Sequence, residues 1–331
     1  MTVRIGIIGA GNMGADHANT LQRFVSGASV TLLADVDRAR AAVVAAELGC
    51  RSTDDAEALV RDADVDAVLI ASHDATHPAF IRACVAAGKP VLCEKPLAPT
   101  LDGSAALVAD LGADAALVSL GFMRRFDPGY TALRAAIAAR TMGAPVLLHS
   151  TGRGVSSAPG STSASSITNS AVHDLDIVPW LLGSPVVEVS WHAPRSATGD
   201  TTFQDPQLVL LRTADGVLST VETFLNARYG YDVRCEVVGE SGTASLAEPV
   251  RLVQDGALQR ASGYAADWRP RFAEAYRLEL QAWVDALTRG TASPLASAHD
   301  GLVASAVADA VITSMHRGGT TVPVEVPGTA R

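Results

Sequence analysis

No run of basic residues interrupts this chain. Its 26 lysines and arginines are outnumbered by 35 aspartates and glutamates, a formal charge of −9, so a nucleic-acid partner is not expected. Apolar stretches long enough to cross a membrane are missing as well, so no membrane-spanning segment and no membrane partner is expected. The four cysteines, Cys50, Cys84, Cys93 and Cys235, are scattered. They form no Cys-x-x-Cys pair and have no histidine at zinc-ligand spacing beside them. Buried free thiols in a reducing cytoplasm are expected, with no disulfide framework and no metal site. The start, Met1-Thr2-Val3-Arg4-Ile5-Gly6, enters a strand at once, so no signal peptide is expected. Internal repeats and low-complexity tracts are absent.

At 331 residues the chain is long for a single core, and 48% hydrophobic with 18% charged residues is a globular balance; two domains are expected. The run Val3-Arg4-Ile5-Gly6-Ile7-Ile8 is rich in β-formers and leads directly into Gly9-Ala10-Gly11-Asn12-Met13-Gly14. Met13, His17, Leu21 and Phe24 then recur at helical spacing. A G-x-G-x-x-G match is weak alone, but between a strand and a helix it reads as a dinucleotide-binding turn. Gly9 permits the tight turn, Gly11 lets backbone approach a pyrophosphate, and Gly14 lets helix pack on strand. Asn12 and Met13 open the helix, whose unpaired N–H groups face the phosphates.

The second strand, Val30–Ala34, ends at Asp35. That carboxylate follows the last glycine by close to the roughly 20 residues expected of a ribose-binding acid. It suits a ribose diol and repels a 2′-phosphate. Asp37 is the better placed of the two acids to cap the helix 37–47. Arg38 reads as the only nearby cation, so NAD is favoured and NADP stays possible.

Strand and helix signals continue to alternate. A short helix opens at Thr53-Asp54-Asp55. The strand Asp66–Ala71 ends in the polar loop Ser72-His73-Asp74-Ala75-Thr76-His77. A helix, 80–87, stops at Gly88, and helix 101–111 with strand 115–120 completes an open sheet. Ser72, His73 and His77 fall at a strand end and read as shaping the nicotinamide pocket; the plainer alternative is that Thr76 and His77 cap the next helix. The apolar run Pro90-Val91-Leu92-Cys93 closes on Glu94-Lys95-Pro96. Lys95 therefore stands at the carboxyl end of a buried strand, where parallel α/β sheets place ligands.

Beyond Gly121 come a helix to about Arg140 and a strand through Val146-Leu147-Leu148. Gly152–Ser166 is a Gly-, Ser- and Thr-rich loop. Ile167–Leu182 has helical periodicity and stops at Gly183. On that helix Asn169 and His173 are i and i+4 and share a face, with Asp176 one turn on. A histidine titrating near neutrality can take an alcohol proton, and Asp176 could hold its ring; a structural histidine is the plainer alternative. From Val186 five strand-like runs follow, separated by turns such as Ala214-Asp215-Gly216 and Glu240-Ser241-Gly242, which predicts a mainly antiparallel sheet. Helices over 271–289 and 298–317 and a short strand at 322–326 end the chain. The fold class is α/β: a Rossmann doubly wound parallel sheet over 1–121, then an α+β domain over 122–331 with a large open sheet.

The whole chain resembles the glucose–fructose oxidoreductase / inositol dehydrogenase / rhizopine-catabolism family, most closely its bacterial inositol dehydrogenase branch. The cofactor half of the resemblance rests on the glycine turn, Asp35 and Cys93-Glu94-Lys95-Pro96-Leu97-Ala98. The branch-specific half rests on Gly121-Phe122-Met123-Arg124-Arg125-Phe126-Asp127-Pro128-Gly129-Tyr130, Val172-His173-Asp174-Leu175-Asp176 and the segment from Tyr229 to Glu240. The resemblance implies an NAD-dependent oxidation of a cyclitol or sugar hydroxyl. Lys95 matches the lysine that hydrogen-bonds the reacting oxygen, and His173 the general acid–base. Arg125 and Tyr231 match segments that approach the polyol, and Asn169 and Arg153 fall at substrate-facing positions. It also implies a cis Lys95–Pro96 peptide and a homotetramer or homodimer joined through the open face of the second sheet. The inositol enzymes carry Asp-x-x-x-His where this chain has Asn169, and a polar residue after the position of Arg153, which leaves the particular cyclitol open. An NADPH-dependent ketosugar reductase and a non-catalytic sugar-sensing regulator are the alternatives.

Overall fold

Strand β1 (Val3–Ile8) is buried at nearly every position, because a parallel sheet covered by helices on both faces shelters both sides of its central strands. The computed structural model describes residues 2–199, 202–247 and 252–328. After β1 the first unit alternates α1 (Asn12–Phe24), β2 (Ala28–Ala34), α2 (Arg38–Leu48), β3 (Arg51–Thr53), α3 (Ala56–Arg61), β4 (Ala67–Ile70), α4 (His77–Ala86), β5 (Val91–Glu94), α5 (Leu101–Leu111) and β6 (Val118–Gly121). The strand order is β6-β5-β4-β1-β2-β3, all parallel, with the short strand Ala296–Ser297 antiparallel at the β6 edge. The winding reverses between β1 and β4. In such sheets ligands bind at the carboxyl ends of the strands beside that reversal, and β1, β2, β4 and β5 end there at the glycine turn, Asp35, Ser72 and Lys95.

Several expectations shift in detail. The stretch 112–117 is a 3₁₀ helix and the strand begins only at Val118. Helix α4 starts at His77, earlier than expected, with Pro78 in its first turn, where a missing N–H costs nothing. On α1 the buried face is Gly14, His17, Ala18 and Leu21, and Phe24 is 64% exposed. The first unit also includes Glu274–Ser305 and the residues from Val326 on. Leu280, Trp283, Val284 and Leu295 pack into one core with Ile5, Leu21 and Leu33, which is why this late segment belongs with the early strands.

The second unit spans Asp127–Ala273 and Ala306–Glu325. It contains α6 (Pro128–Ala138), β7 (Pro145–Arg153), α7 (Ser163–Ser166), α8 (Val172–Leu182), β8 (Val186–His192), β9 (Gln207–Thr213), β10 (Leu218–Phe224), β11 (Asp232–Gly239) and β12 (Gly242–Ser245). Helix α9 (Trp268–Arg289) contributes its first residues to this unit, and α10 (Ala298–His316) its residues from Ala306. The sheet order is β12-β11-β7-β10-β9-β8, closed by Val322–Pro323, and every pairing is antiparallel except β7 with β10. On β7, Leu148 and Ser150 are buried while His149 is exposed. Ser150 Oγ donates to Asp174 of α8 at 2.6 Å, fixing which face the helix covers. A separate hairpin, β13 (Val253–Gly256) with β14 (Gln259–Ser262), is not signalled in the sequence: its residues are all exposed and show no apolar alternation, and its turn puts Ala257 and Leu258 at positive φ without the usual Asn-Gly or Asp-Gly pair.

Cys84, Cys93 and Cys235 are buried free thiols as expected, whereas Cys50 is half-buried. Among the described residues no helix is long and apolar enough to cross a membrane.

Candidate active site

The turn after β1 is built for close approach. Gly9 has φ +105°, and a Cβ there would lie 2.6 Å from the Ala71 carbonyl, so only glycine fits. A Cβ on Gly14 would fall on the Gly9 carbonyl oxygen, whereas one on Gly11 meets nothing within 4 Å. Gly11 is also the N-cap of α1, and no side chain caps that helix. The 13-residue helix thus begins without a side-chain cap and beside open space, a seat for a pyrophosphate. The residues present fit a dinucleotide.

At the end of β2 Asp35 is fully engaged. Its Oδ2 accepts from the Ala10 amide at 2.6 Å and its Oδ1 from the Asp37 amide at 2.8 Å. Arg40 adds Nη2 to Oδ1 at 2.8 Å and Nε to Oδ2 at 3.3 Å. Arg40, not Arg38, is therefore the cation on Asp35, because one helical turn brings position 40 back over the end of the strand. Burial raises the Asp35 carboxyl, but Arg40 and the two amides outweigh it and hold it below the ordinary 3.8. Asp37 caps α2 through the Arg40 amide, as its position suggested.

Beside β4, the Ser72 hydroxyl pairs with Thr76 Oγ1 at 2.7 Å. Thr76 occupies the N-cap position of α4, as the plainer alternative had it, but its Oγ1 donates to the His73 carbonyl at 2.6 Å and makes no side-chain cap bond. His73 is 81% exposed and sits against Asp74. His77 is buried, with Nδ1 at 2.8 Å from the Pro96 carbonyl and Nε2 at 3.1 Å from that of Ser72. It ties the strand ends of β4 and β5 together.

The end of β5 carries the densest chemistry. The Lys95–Pro96 peptide is cis. Glu94 is buried; its Oε1 meets His17 Nε2 at 2.7 Å, and its Oε2 accepts the Lys95 amide at 3.2 Å. A Cβ on Gly121 would crowd that carboxylate at 3.2 Å. Burial raises the Glu94 carboxyl, yet the His17 hydrogen bond and the surrounding positive charge outweigh it, and the group sits below its ordinary value. Burial pushes the Lys95 ammonium down, with Glu94 and Asp74 opposing and Arg124 assisting, and the net shift is downward. His17 was legible only as one member of a helical stripe; nothing local in the sequence points to its partner 77 residues away.

In the second unit Ile167–Ala171 forms a π turn between α7 and α8. Asn169 sits inside it and is exposed; His173 follows in the first turn of α8 and is half-buried. A wider turn inserted ahead of α8 is a recurrent feature of functional helices, and it alters the simple i, i+4 relation expected of the two. Asp174 and Asp176 are both buried. Arg153 grips Glu222 with Nε at 2.6 Å and Nη2 at 2.9 Å, and donates to the Tyr229 hydroxyl at 3.1 Å. Tyr231 stands edge-on to Phe272 and lines a cavity of about 600 Å³ with Tyr264 and Arg271. Arg125, in the first unit, is mostly buried and pairs with Asp300 at 3.2 Å. Glu222, Tyr229 and Asp300 are partners that no local pattern announced.

Two family models match the chain: an oxidoreductase family with an NAD-binding Rossmann fold over residues 3–122, and the C-terminal alpha/beta domain of that family over 142–326. Inositol 2-dehydrogenase 2 of Paenarthrobacter aurescens is 54% identical, covering 98% of this chain and 99% of its own length. Inositol 2-dehydrogenase 1 of Saccharopolyspora erythraea is 48% identical, covering 98% and 97%. The crystal structure of myo-inositol dehydrogenase from Lactobacillus casei in complex with NAD(H) and myo-inositol aligns with a TM-score of 0.94 at 29% identity, covering 100% of this chain and 99% of that one. With both halves matched, the chain belongs to the glucose–fructose oxidoreductase / inositol dehydrogenase / rhizopine-catabolism family of NAD-binding oxidoreductases.

Proposed function

We propose that this protein is an NAD-dependent dehydrogenase that oxidises a ring secondary alcohol of a cyclitol, myo-inositol or a close relative, reversibly to the ketone. The observation that carries this reading is full-length identity of 54% to an inositol 2-dehydrogenase. When bound, NAD accepts the hydride from the carbinol carbon. The chain holds the dinucleotide through the Gly9–Gly14 turn, the first amides of α1 and Asp35, with Ser72, His73, His77 and Glu94 lining the strand ends. His173 takes the hydroxyl proton as general base, and Lys95 donates a hydrogen bond to the same oxygen. Asn169, Tyr231 and Arg125 orient the ring, Arg125 through the ion pair with Asp300 that fixes it. Arg153, held by Glu222 on the open face of the second sheet beside Phe224, stands on the side opposite α8 and takes no part in this reading.

The second sheet supports self-association. Leu147, Leu208, Leu210, Leu218 and Phe224 are half-exposed and share its open face by register with the polar pairs His149–Thr220 and Arg153–Glu222, and a sheet face of this mixed kind fits a homodimer or homotetramer. Four free thiols suit a cytoplasmic setting. The test of function is initial rates of NAD reduction with myo-, scyllo- and chiro-inositol, glucose and aminocyclitols. Saturable turnover with at least one inositol is expected; no turnover across the panel contradicts the proposal.

A further inference from the structure

Asp35 stands where the ribose-binding acid belongs, yet its carboxylate already accepts four hydrogen bonds: from the Ala10 and Asp37 amides and from Nε and Nη2 of Arg40. A carboxylate offers about four acceptor positions. A ribose diol therefore gains a place on Asp35 only where one of these donors gives way. The two amides are held by the glycine turn and by the start of α2. The Asp35 side chain is 6% exposed and that of Arg40 is 47% exposed, so the carboxylate is the fixed partner and the guanidinium the one free to swing into water at little cost. The same guanidinium has a planar fork of donors that grips a phosphate through two parallel bonds. Its charge also offsets the negative charge on Asp35 that would turn a 2′-phosphate away.

We propose that Arg40 sets the preference between NAD and NADP: it competes with the adenosine ribose for Asp35, and turned outward it meets a 2′-phosphate. Arg40 thus works against NAD and admits NADP. The proposal rests on Asp35 being the ribose seat, so the test separates the two ideas.

Dissociation constants for NADH and NADPH, read by fluorescence titration without any cyclitol, are compared for the wild type, Arg40→Gln, Arg40→Lys and Asp35→Asn. In Arg40→Gln, NADPH binding is expected to weaken about tenfold while NADH binding holds or tightens. Arg40→Lys, which keeps the charge and loses the fork, is expected to fall between. Asp35→Asn is expected to weaken NADH. Equal changes in both constants for Arg40→Gln, or no change in either, overturn the role of Arg40 while leaving the seat intact. Undiminished NADH binding in Asp35→Asn removes the seat, and the proposal with it.

Discussion

The Nε2 of His17 lies 2.7 Å from Glu94 Oε1, joining the middle of α1 to the last residue of β5 where neither side chain is more than 10% exposed. Glu94 in turn accepts the amide of Lys95. One buried imidazole therefore holds the backbone of the residue proposed to polarise the substrate. Removing one member of a buried pair strands the other. His17→Ala is expected to lower unfolding stability by about 3 kcal/mol, measured by urea denaturation at neutral pH; a loss within error contradicts this.

The same pair sets an acid limit. The folded pKa of Glu94 lies below its ordinary 4.5, so its stabilising contribution is complete above about that pH and is lost as pH falls through the lower folded value. In His17→Ala burial acts with less opposition and the Glu94 value rises. The acid-unfolding midpoint of the variant is expected at higher pH than that of the wild type, which intrinsic fluorescence against pH would show.

Gly11 and Gly14 make opposite demands. A Cβ at Gly11 enters open space, whereas one at Gly14 collides with Gly9 backbone. Gly11→Ala is expected to keep the melting temperature and weaken NADH binding, because the methyl occupies the approach to the pyrophosphate. Gly14→Ala is expected to lose stability first. Identical behaviour of the two variants in thermal melts and nucleotide titrations contradicts this division.

How much of this was legible in the sequence follows from range. The glycine turn, Asp35 and Lys95 are local: each falls at a strand end that alternating apolar runs reveal, and period and turn chemistry suffice to place them. The His17–Glu94 pair and the burial of Trp283 in one core with Ile5 depend on contacts between distant segments, which leave no periodic trace. Arg38 and Arg40 look alike in sequence; only the pitch of α2 selects Arg40 for Asp35. The π turn at Ile167–Ala171 escaped because the apolar spacing of 167–182 fits an unbroken helix nearly as well.

Lys95 carries its own pH signature. Burial lowers its ammonium below the ordinary 10.5, against the pull of Glu94 and Asp74. A donor to the reacting oxygen must be protonated, so kcat/KM is expected to fall as pH rises through that lowered value, with the alkaline limb below pH 10.5. Glu94→Gln removes an opposing charge and is expected to move the limb lower still. In Lys95→Met the limb should vanish and kcat should drop by about 100-fold or more. A limb that persists in Lys95→Met assigns it to another group.

Asn169 offers a converse test. Asn169→Asp places a carboxylate one turn before His173, which favours the charged imidazole. Since the proposed base acts when neutral, the acid limb of the pH–rate profile is expected to shift to higher pH. Ionic strength held constant, an unmoved limb means that position 169 does not face His173.

The measurement that tests the account most directly is NAD reduction by the wild type and by His173→Ala with the best inositol of the panel, alongside NADH binding to both. The account predicts saturable turnover in the wild type, a fall in kcat of about 100-fold or more in the variant, and NADH affinity that is unchanged. Near-normal turnover in His173→Ala, or a wild type that reduces NAD with no cyclitol, would contradict it.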